Sequence, residues 1–226
     1  MTLVRASLIP PSFEHGFGTR AFDPEAFFAR RPDLRLYRAH QVHRADPIVV
    51  QGDEDPYDVI AEAGDILCTA RPRVAVGVVT ADCVPILMCS PSRGACATVH
   101  AGWRGTVQRA VQVAVSFLGR RFGVNPEEMF VAIGPCICAS CYVVGEEVAS
   151  QIAVLDPDAV TQDPSGALHA DLRRCTRTLL QNAGVPNGHI EDVAACTCCD
   201  PEGRFHSYRR DKELRGEQLS FIGVPG

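Results

Sequence analysis

Between residues 74 and 100 three short apolar runs, Val74–Thr80, Val84–Cys89 and Ala95–His100, follow one another with only brief polar breaks. They are apolar throughout instead of alternating with polar residues, which is the pattern of strands covered on both faces. Further runs rich in Val and Ile, bounded by Gly, Pro or Asp, predict strands at Ile48–Val50, Asp65–Thr69, Met129–Ile133, Ile190–Ala195 and Leu219–Val224. Two segments carry a helical period. Val107, Val111, Val115, Leu118 and Phe122 form one apolar stripe, with Gln108, Arg109, Gln112 and Arg120 turned away from it. Leu172, Cys175, Leu179 and Ala183 form another, with Asp171 as its N-cap and Gly184 as its stop. A shorter helix is expected over Gly145–Ile152. The helices interrupt the strands irregularly, and neither GxGxxG nor GxxxxGKS occurs. The expected fold class is therefore α+β, mixed α and β without a Rossmann alternation. With 226 residues, no internal repeat and no Gly/Ser linker, the chain is expected to be a single domain spanning 1–226.

Charge and composition narrow the function classes. The 22 Lys and Arg against 27 Asp and Glu leave a net charge of -5, so no global basic field invites nucleic acid or an anionic membrane. No apolar run approaches the roughly 20 residues of a membrane span. Pro10 and Pro11 interrupt the N-terminal apolar stretch, so no signal peptide is read and a cytoplasmic location is expected. The 11 cysteines are odd in number, several adjacent or one residue apart, which suits reduced thiols, some binding metal, better than a disulfide framework.

Three places combine soft or imidazole ligands with a sharp break in regular structure: His40-Gln41-Val42-His43, Thr80-Ala81-Asp82-Cys83-Val84-Pro85, and His100-Ala101-Gly102-Trp103-Arg104-Gly105-Thr106. His40 and His43 would point to opposite faces of one strand, so only one of them is expected at a site. The third segment opens a helix with two glycines and an arginine. It reads either as a phosphate or carboxylate pocket built from free helical N–H groups, Gly102, Gly105 and Arg104, or as a tight turn with Trp103 packed on the core. Spacing alone does not join the three places. If His43, Cys83 and His100 converge, they form two imidazoles and one thiolate around an open position, the catalytic type of zinc site, with Asp82 as orienting neighbour or proton carrier. Two cysteine clusters remain, Cys136/Cys138/Cys141 and Cys196/Cys198/Cys199; Cys138/Cys141 is a CxxC by spacing, and the clusters together could bind a structural zinc, but without a recognised CxxC…CxxC pairing most are read as packing residues or spare thiols. Ser207-Tyr208-Arg209-Arg210-Asp211 by itself reads as a solvated turn with an ion pair.

Taken in order, these motifs resemble the laccase-domain family, also called multicopper polyphenol oxidase or YfiH-like proteins. The resemblance runs through His15-Gly16-Phe17-Gly18-Thr19-Arg20, Gln41-Val42-His43, Gly64-Asp65, the Asp82-Cys83 and His100–Gly105 segments, Ile133-Gly134-Pro135, Cys141-Tyr142, Val144-Gly145-Glu146-Glu147, Asp171-Leu172, Cys196-Thr197 and Ser207–Asp211. It implies β-sheets layered between helices and a zinc site made by His43, Cys83 and His100. It also implies a purine nucleoside enzyme: phosphorolysis of adenosine, inosine, guanosine and methylthioadenosine with inorganic phosphate, and deamination of adenosine. The chain departs from the family at Phe205-His206, at Leu214-Arg215-Gly216 and at Ile222-Gly223-Val224. Arg44, where a small residue is common, is expected to narrow the pocket mouth.

The residues expected to act are His43, Cys83, His100 and Asp82 at the metal, with Gln41, Gly102, Arg104 and Gly105 binding substrate or phosphate. Three other functions stay open. A copper-dependent polyphenol oxidase needs two His, one Cys and a weak axial ligand, for which Met88 is the nearest methionine, and seven His without a His-x-His pair fit a multicopper laccase poorly; Cu2+ can still occupy the site. A thiol hydrolase would use Cys83 as nucleophile and His100 as base. A non-catalytic protein would simply bind zinc.

Overall fold

The computed structural model describes residues 2–212 and 216–226. Leu214 and Arg215 of the divergent C-terminal segment lie outside them. The strands are β1 (Leu3–Val4), β2 (Glu14–Gly18), β3 (Arg35–Tyr37), β4 (Pro47–Val49), β5 (Ile66–Thr69), β6 (Val74–Thr80) and β7 (Val84–Ser90) in the first part of the chain. They continue with β8 (Ala95–Ala101), β9 (Phe130–Ile133), β10 (Val143–Val144), β11 (Val160–Gln162), β12 (Leu168–Ala170), β13 (Ile190–Asp192) and β14 (Gln218–Val224). The α-helices are α1 (Pro24–Ala29), α2 (Pro56–Ala61), α3 (Trp103–Val107), α4 (Ala110–Phe122), α5 (Glu146–Leu155), α6 (Leu172–Asn182) and α7 (Tyr208–Asp211).

A mixed six-stranded sheet, ordered β13-β9-β7-β8-β5-β4, forms the centre of the α+β fold. Because side chains alternate along a strand, its two faces divide the apolar residues. Ile86, Met88, Ala97, Val99, Val131 and Ile133 face a helical layer containing Val111, Val115 and Leu118 of α4 and Leu172 and Leu179 of α6. Leu67, Leu87, Cys89, Cys96 and Ala132 face the other way, against Phe17, Val76, Val78 and Ile222 of a five-stranded sheet ordered β1-β2-β14-β6-β3. The outer face of that second sheet is closed by α1, whose Phe27 and Phe28 rings lie 5.3 and 5.1 Å from Phe221. The unbroken apolar strands follow directly from this layering. A separate three-stranded sheet, β10-β12-β11, is inserted in sequence between β9 and β13 of the central one. No helix among the described residues is long and apolar enough to cross a membrane.

The stripe expected from Val107 to Phe122 is two helices, because Arg109 takes a left-handed conformation (φ 60°) and breaks the chain between α3 and α4. Asp171 caps α6 by accepting the Arg174 N–H at 2.9 Å, and Gly184 (φ 93°) follows the helix end. The strand expected over Ile190–Ala195 stops at Asp192, since the Ala195 N–H turns back onto the Val193 carbonyl.

Candidate metal centre

The β7–β8 pairing sets Pro85 opposite His100 and Val84 opposite Ala101. Cys83, just before β7, and His100, near the end of β8, therefore emerge side by side at one end of the central sheet. β5 pairs with β8 on the other side, and the His100 N–H donates to the Asp65 carbonyl at 2.8 Å. The Asp65 side chain is fully buried and gathers the third segment. Its Oδ1 accepts from the His43 N–H (3.0 Å) and pairs with His100 Nδ1 (2.6 Å). Its Oδ2 accepts from the N–H groups of Val42 (3.0 Å) and Arg44 (2.8 Å).

Residues 40–43 consequently do not form a strand. His40 makes only an isolated bridge to Ala63, and His43 is left-handed at φ 59° as the loop wraps around the Asp65 carboxylate. The expectation that His40 and His43 point to opposite faces fails for that reason; both line one cavity. Gln41 lines it too, but its amide is bound twice to the Val79 backbone at 2.8 Å, so it ties the loop to β6 instead of offering its polar atoms to a ligand.

His43, Cys83 and His100 bring their ligand atoms within 4.8 Å of one another, and the two imidazole rings meet edge to face. Two nitrogens and a thiolate suit zinc or copper. The Asp65 bond to Nδ1 of His100 leaves its Nε2 for the centre, the carboxylate–histidine–metal arrangement of metalloenzymes. A Cβ at Gly102 would stand 2.9 Å from Cys83 Sγ and 3.3 Å from His43 Cδ2, so only glycine leaves this space open. These residues fit a metal ion. Burial pushes the Cys83 thiol up, but the His100 charge and hydrogen bonds from both imidazoles outweigh it and bring it down to about 6. Burial pushes His100 down, yet the Cys83 thiolate and Asp65 raise it to about 9. Met88 is buried on β7 against the helical layer, where it cannot serve as an axial ligand.

The cavity beside the centre measures about 740 Å³, within the range of small-molecule sites. A wider concavity of about 840 Å³ near α1 and β3 has neither His nor Cys in its lining. At the strand-to-helix turn Trp103 packs against the core, as the second of its two readings expects, and it also lines the cavity with Arg104, whose guanidinium stands 4.3 Å above its ring. Gly105, expected to face a ligand, lies outside the lining; it is buried where α3 crosses the His100 carbonyl. Arg44 is exposed and also outside the lining, so it does not narrow the mouth.

Sequence reasoning undervalued several residues. Asp82, buried at a left-handed turn (φ 91°), accepts from the Thr197 hydroxyl and the Arg209 N–H, each at 2.6 Å. The Ser207–Asp211 motif keeps its exposed side chains and its Arg210–Asp211 ion pair, but it also builds the site: Tyr208 and Arg209 line the cavity, and Arg210 donates to the carbonyls of Thr197 and Cys198. Tyr142 lines it as well, under the Arg209 guanidinium at 5.3 Å. Burial, then the Cys83 charge, push its phenol up to about 12, which keeps the hydroxyl protonated. Nothing local marked Tyr142, whereas the density of charge and aromatics after Ser207 was a usable signal. The divergent His206 packs on Gly216, whose N–H donates to its Nδ1 at 3.2 Å; a Cβ there would stand 2.5 Å from the ring, so these two departures accommodate each other. Cys138, Cys141, Cys196 and Cys199 also converge, which favours the metal-binding alternative over packing residues or spare thiols for these four, while Cys136 is buried in the core.

Residues 26–225 match the family described as multi-copper polyphenol oxidoreductase laccase. The chain belongs to this family. It is 39% identical over 162 residues to a purine nucleoside phosphorylase of Deinococcus radiodurans, a match covering 72% of this chain and 62% of that protein. It is 37% identical to the purine nucleoside phosphorylase YlmD of Geobacillus stearothermophilus, over 85% of this chain and 73% of the relative. The crystal structure of YlmD from Geobacillus stearothermophilus superposes with a TM-score of 0.89 at 29% identity, covering 100% of this chain and 97% of that one. An adenosine deaminase from an unknown prokaryotic organism is 36% identical, over 70% of this chain and 61% of its own length. The chain thus spans about three fifths of the length of the first of these relatives.

Proposed function

We propose that this member of the family is a zinc-dependent purine nucleoside enzyme. It cleaves adenosine, inosine, guanosine and S-methyl-5′-thioadenosine with inorganic phosphate and hydrolytically deaminates adenosine. The observation that carries the proposal is the convergence of His43, Cys83 and His100 within 4.8 Å beside a cavity of about 740 Å³, in a chain whose relatives bear phosphorylase and deaminase names. Zinc held by these three residues supplies Lewis acidity and a nucleophile competent at neutral pH.

The chain's own groups divide the remaining work. Asp65 keeps the His100 proton on Nδ1 and the loop bearing His43 in place. Trp103 and Tyr142 offer aromatic faces to a purine, and the protonated Tyr142 hydroxyl offers a donor. Arg104 supplies the cationic fork that phosphate needs, and Arg209, whose guanidinium donates twice to the Val143 carbonyl at 3.0 Å, adds positive charge to the cavity wall. Gly102 keeps the approach to Cys83 open.

The low value of Cys83 also suits a thiol nucleophile with His100 as base. A dyad of that kind has no use for His43 beside the thiolate, and the zinc reading uses it. The oxidase implied by the family's description needs further copper ligands. Among the described residues the only other gathering of metal-binding groups is four thiols. The test is a chromatographic assay of zinc-loaded protein with adenosine, with and without phosphate, beside Cys83→Ala. Phosphate-dependent adenine and phosphate-independent inosine, both lost in Cys83→Ala, are expected. No product from adenosine, inosine or methylthioadenosine would overturn the proposal.

A further inference from the structure

The sulfurs of Cys138, Cys141, Cys196 and Cys199 all lie within 4.8 Å of one another. They come from two separate turns. Cys138 and Cys141 flank a single 3-10 turn at Ala139–Cys141, and Cys196 and Cys199 belong to the turn that follows a parallel bridge between Cys136 and Cys196. Each turn is a CxxC, so the sequence holds the paired CxxC…CxxC signature with 54 residues between its halves.

We propose that these four cysteines bind a second zinc ion, as a closed structural site distinct from the His43–Cys83–His100 centre. A tetrahedral zinc with Zn–S bonds of about 2.3 Å holds its sulfurs about 3.8 Å apart. Cys138 and Cys199 already stand at 3.8 Å. An iron–sulfur cluster spreads four thiolates over two or four irons and needs a wider frame than 4.8 Å. Donors are aimed at the sulfurs as well. The N–H groups of Cys138 and Cys199 point at Cys196 Sγ at 3.3 and 3.4 Å, and the Ser140 hydroxyl lies 3.1 Å from Cys138 Sγ. Amide donors of this kind stabilise ligating thiolates and orient them.

The site stands behind the wall of the cavity. Cys141 precedes Tyr142, which lines it. Thr197, inside the second turn, donates to Asp82 at 2.6 Å, and Arg210 anchors the same turn through the Thr197 and Cys198 carbonyls. A zinc ion joining the two turns fixes Tyr142, Thr197 and α7 relative to Cys83, as a structural metal contributes folding energy to the segments it ties.

The experiment counts metal by mass spectrometry in protein expressed with zinc, for the wild type, Cys83→Ala and Cys199→Ser. About two zinc ions per chain in the wild type and about one in each variant are expected. About one zinc in Cys83→Ala, whatever the wild type holds at the other centre, keeps the outcome independent of the proposed function. X-ray absorption on zinc-loaded Cys83→Ala then reads four sulfurs at about 2.3 Å; this decides the matter should Cys199→Ser fail to fold. Zinc absent from Cys83→Ala, zinc undiminished in soluble Cys199→Ser, nitrogen in the coordination shell, or disulfides joining these cysteines in protein purified without oxidant would each overturn the proposal.

Discussion

Replacing Asp65 by Asn tests how the metal centre is held, because it exchanges one acceptor for a donor at nearly constant shape. The carboxylate accepts from four groups: His43 N–H and His100 Nδ1 at Oδ1, Val42 and Arg44 N–H at Oδ2. An amide has one oxygen, so one of these pairs must face its NH2. With the NH2 toward Val42 and Arg44, two part-buried backbone donors lose their acceptor. With the NH2 toward the other pair, the His43 N–H is orphaned and His100 must accept at Nδ1, which moves its proton to Nε2. That nitrogen can then no longer ligate a metal. At about 1.5–3 kcal/mol for each hydrogen bond to a charged partner, losing two costs about 3–6 kcal/mol, a large part of the roughly 5–15 kcal/mol that holds a typical domain folded. Zinc affinity falls about 10–100-fold, as it does when the outer partner of a ligating His is changed. Urea unfolding of the zinc-free protein and competition with a chelator measure the two effects. Stability within about 1 kcal/mol of wild type together with unchanged zinc affinity would refute this reasoning.

Two further outcomes test the electrostatics. In zinc-free protein the Cys83 value lies near 6, below the ordinary 9, so most of the thiol is ionised at pH 7, where an unperturbed cysteine would be only a few per cent ionised. Alkylation should rise through about pH 6, level off by neutrality and be blocked by zinc, while Cys68 and Cys89, pushed up to about 12 by burial, stay unreactive; a midpoint near 9 would contradict the assignment. Arg104→Ala should raise the KM for phosphate at least about tenfold, the worth of one charge-assisted contact, and the nucleoside KM much less. Equal changes would remove Arg104 from the phosphate.

The strands that build the site were legible because Val74–Thr80, Val84–Ser90 and Ala95–Ala101 are buried on both faces and read as continuous apolar runs. The same pattern held the ligand set. Equal strands on either side of a short turn put Cys83 and His100 at one sheet end whatever the intervening count. The short strands β1, β3, β10, β11 and β12 were not legible, since two or three residues carry no measurable period. Asp65 went unassigned in the reading of the residues because a buried carboxylate at a strand start resembles a turn residue until its four donors are seen. The cysteine clusters were undervalued for a different reason: Cys198, lying between Cys196 and Cys199, hides the second CxxC, and Cys136, two positions before Cys138, blurs the first.

Asp82 poses the remaining question of the cavity, whether it positions groups or carries a proton. Its two oxygens already receive short hydrogen bonds from the Thr197 hydroxyl and the Arg209 N–H, and its carbonyl accepts from Ile137. It thereby ties the second cysteine turn and the start of α7 to the turn that bears Cys83. Asn tolerates the left-handed backbone of this position (φ 91°), so Asp82→Asn isolates the side chain from backbone strain. Its oxygen can still accept from Thr197, but its NH2 then opposes the Arg209 N–H, and one charge-assisted bond of about 1.5–3 kcal/mol is lost. A positioning residue predicts a higher KM for nucleoside, an unchanged zinc content and a pH profile of unchanged shape. A proton carrier predicts a kcat lower by about 10²–10⁴ and the disappearance of one limb of that profile. Because the carboxylate is committed on both oxygens to donors fixed in the protein wall, the first outcome is expected. The second would require Asp82 to release one of those donors in the complex, and a KM change without loss of the limb excludes it.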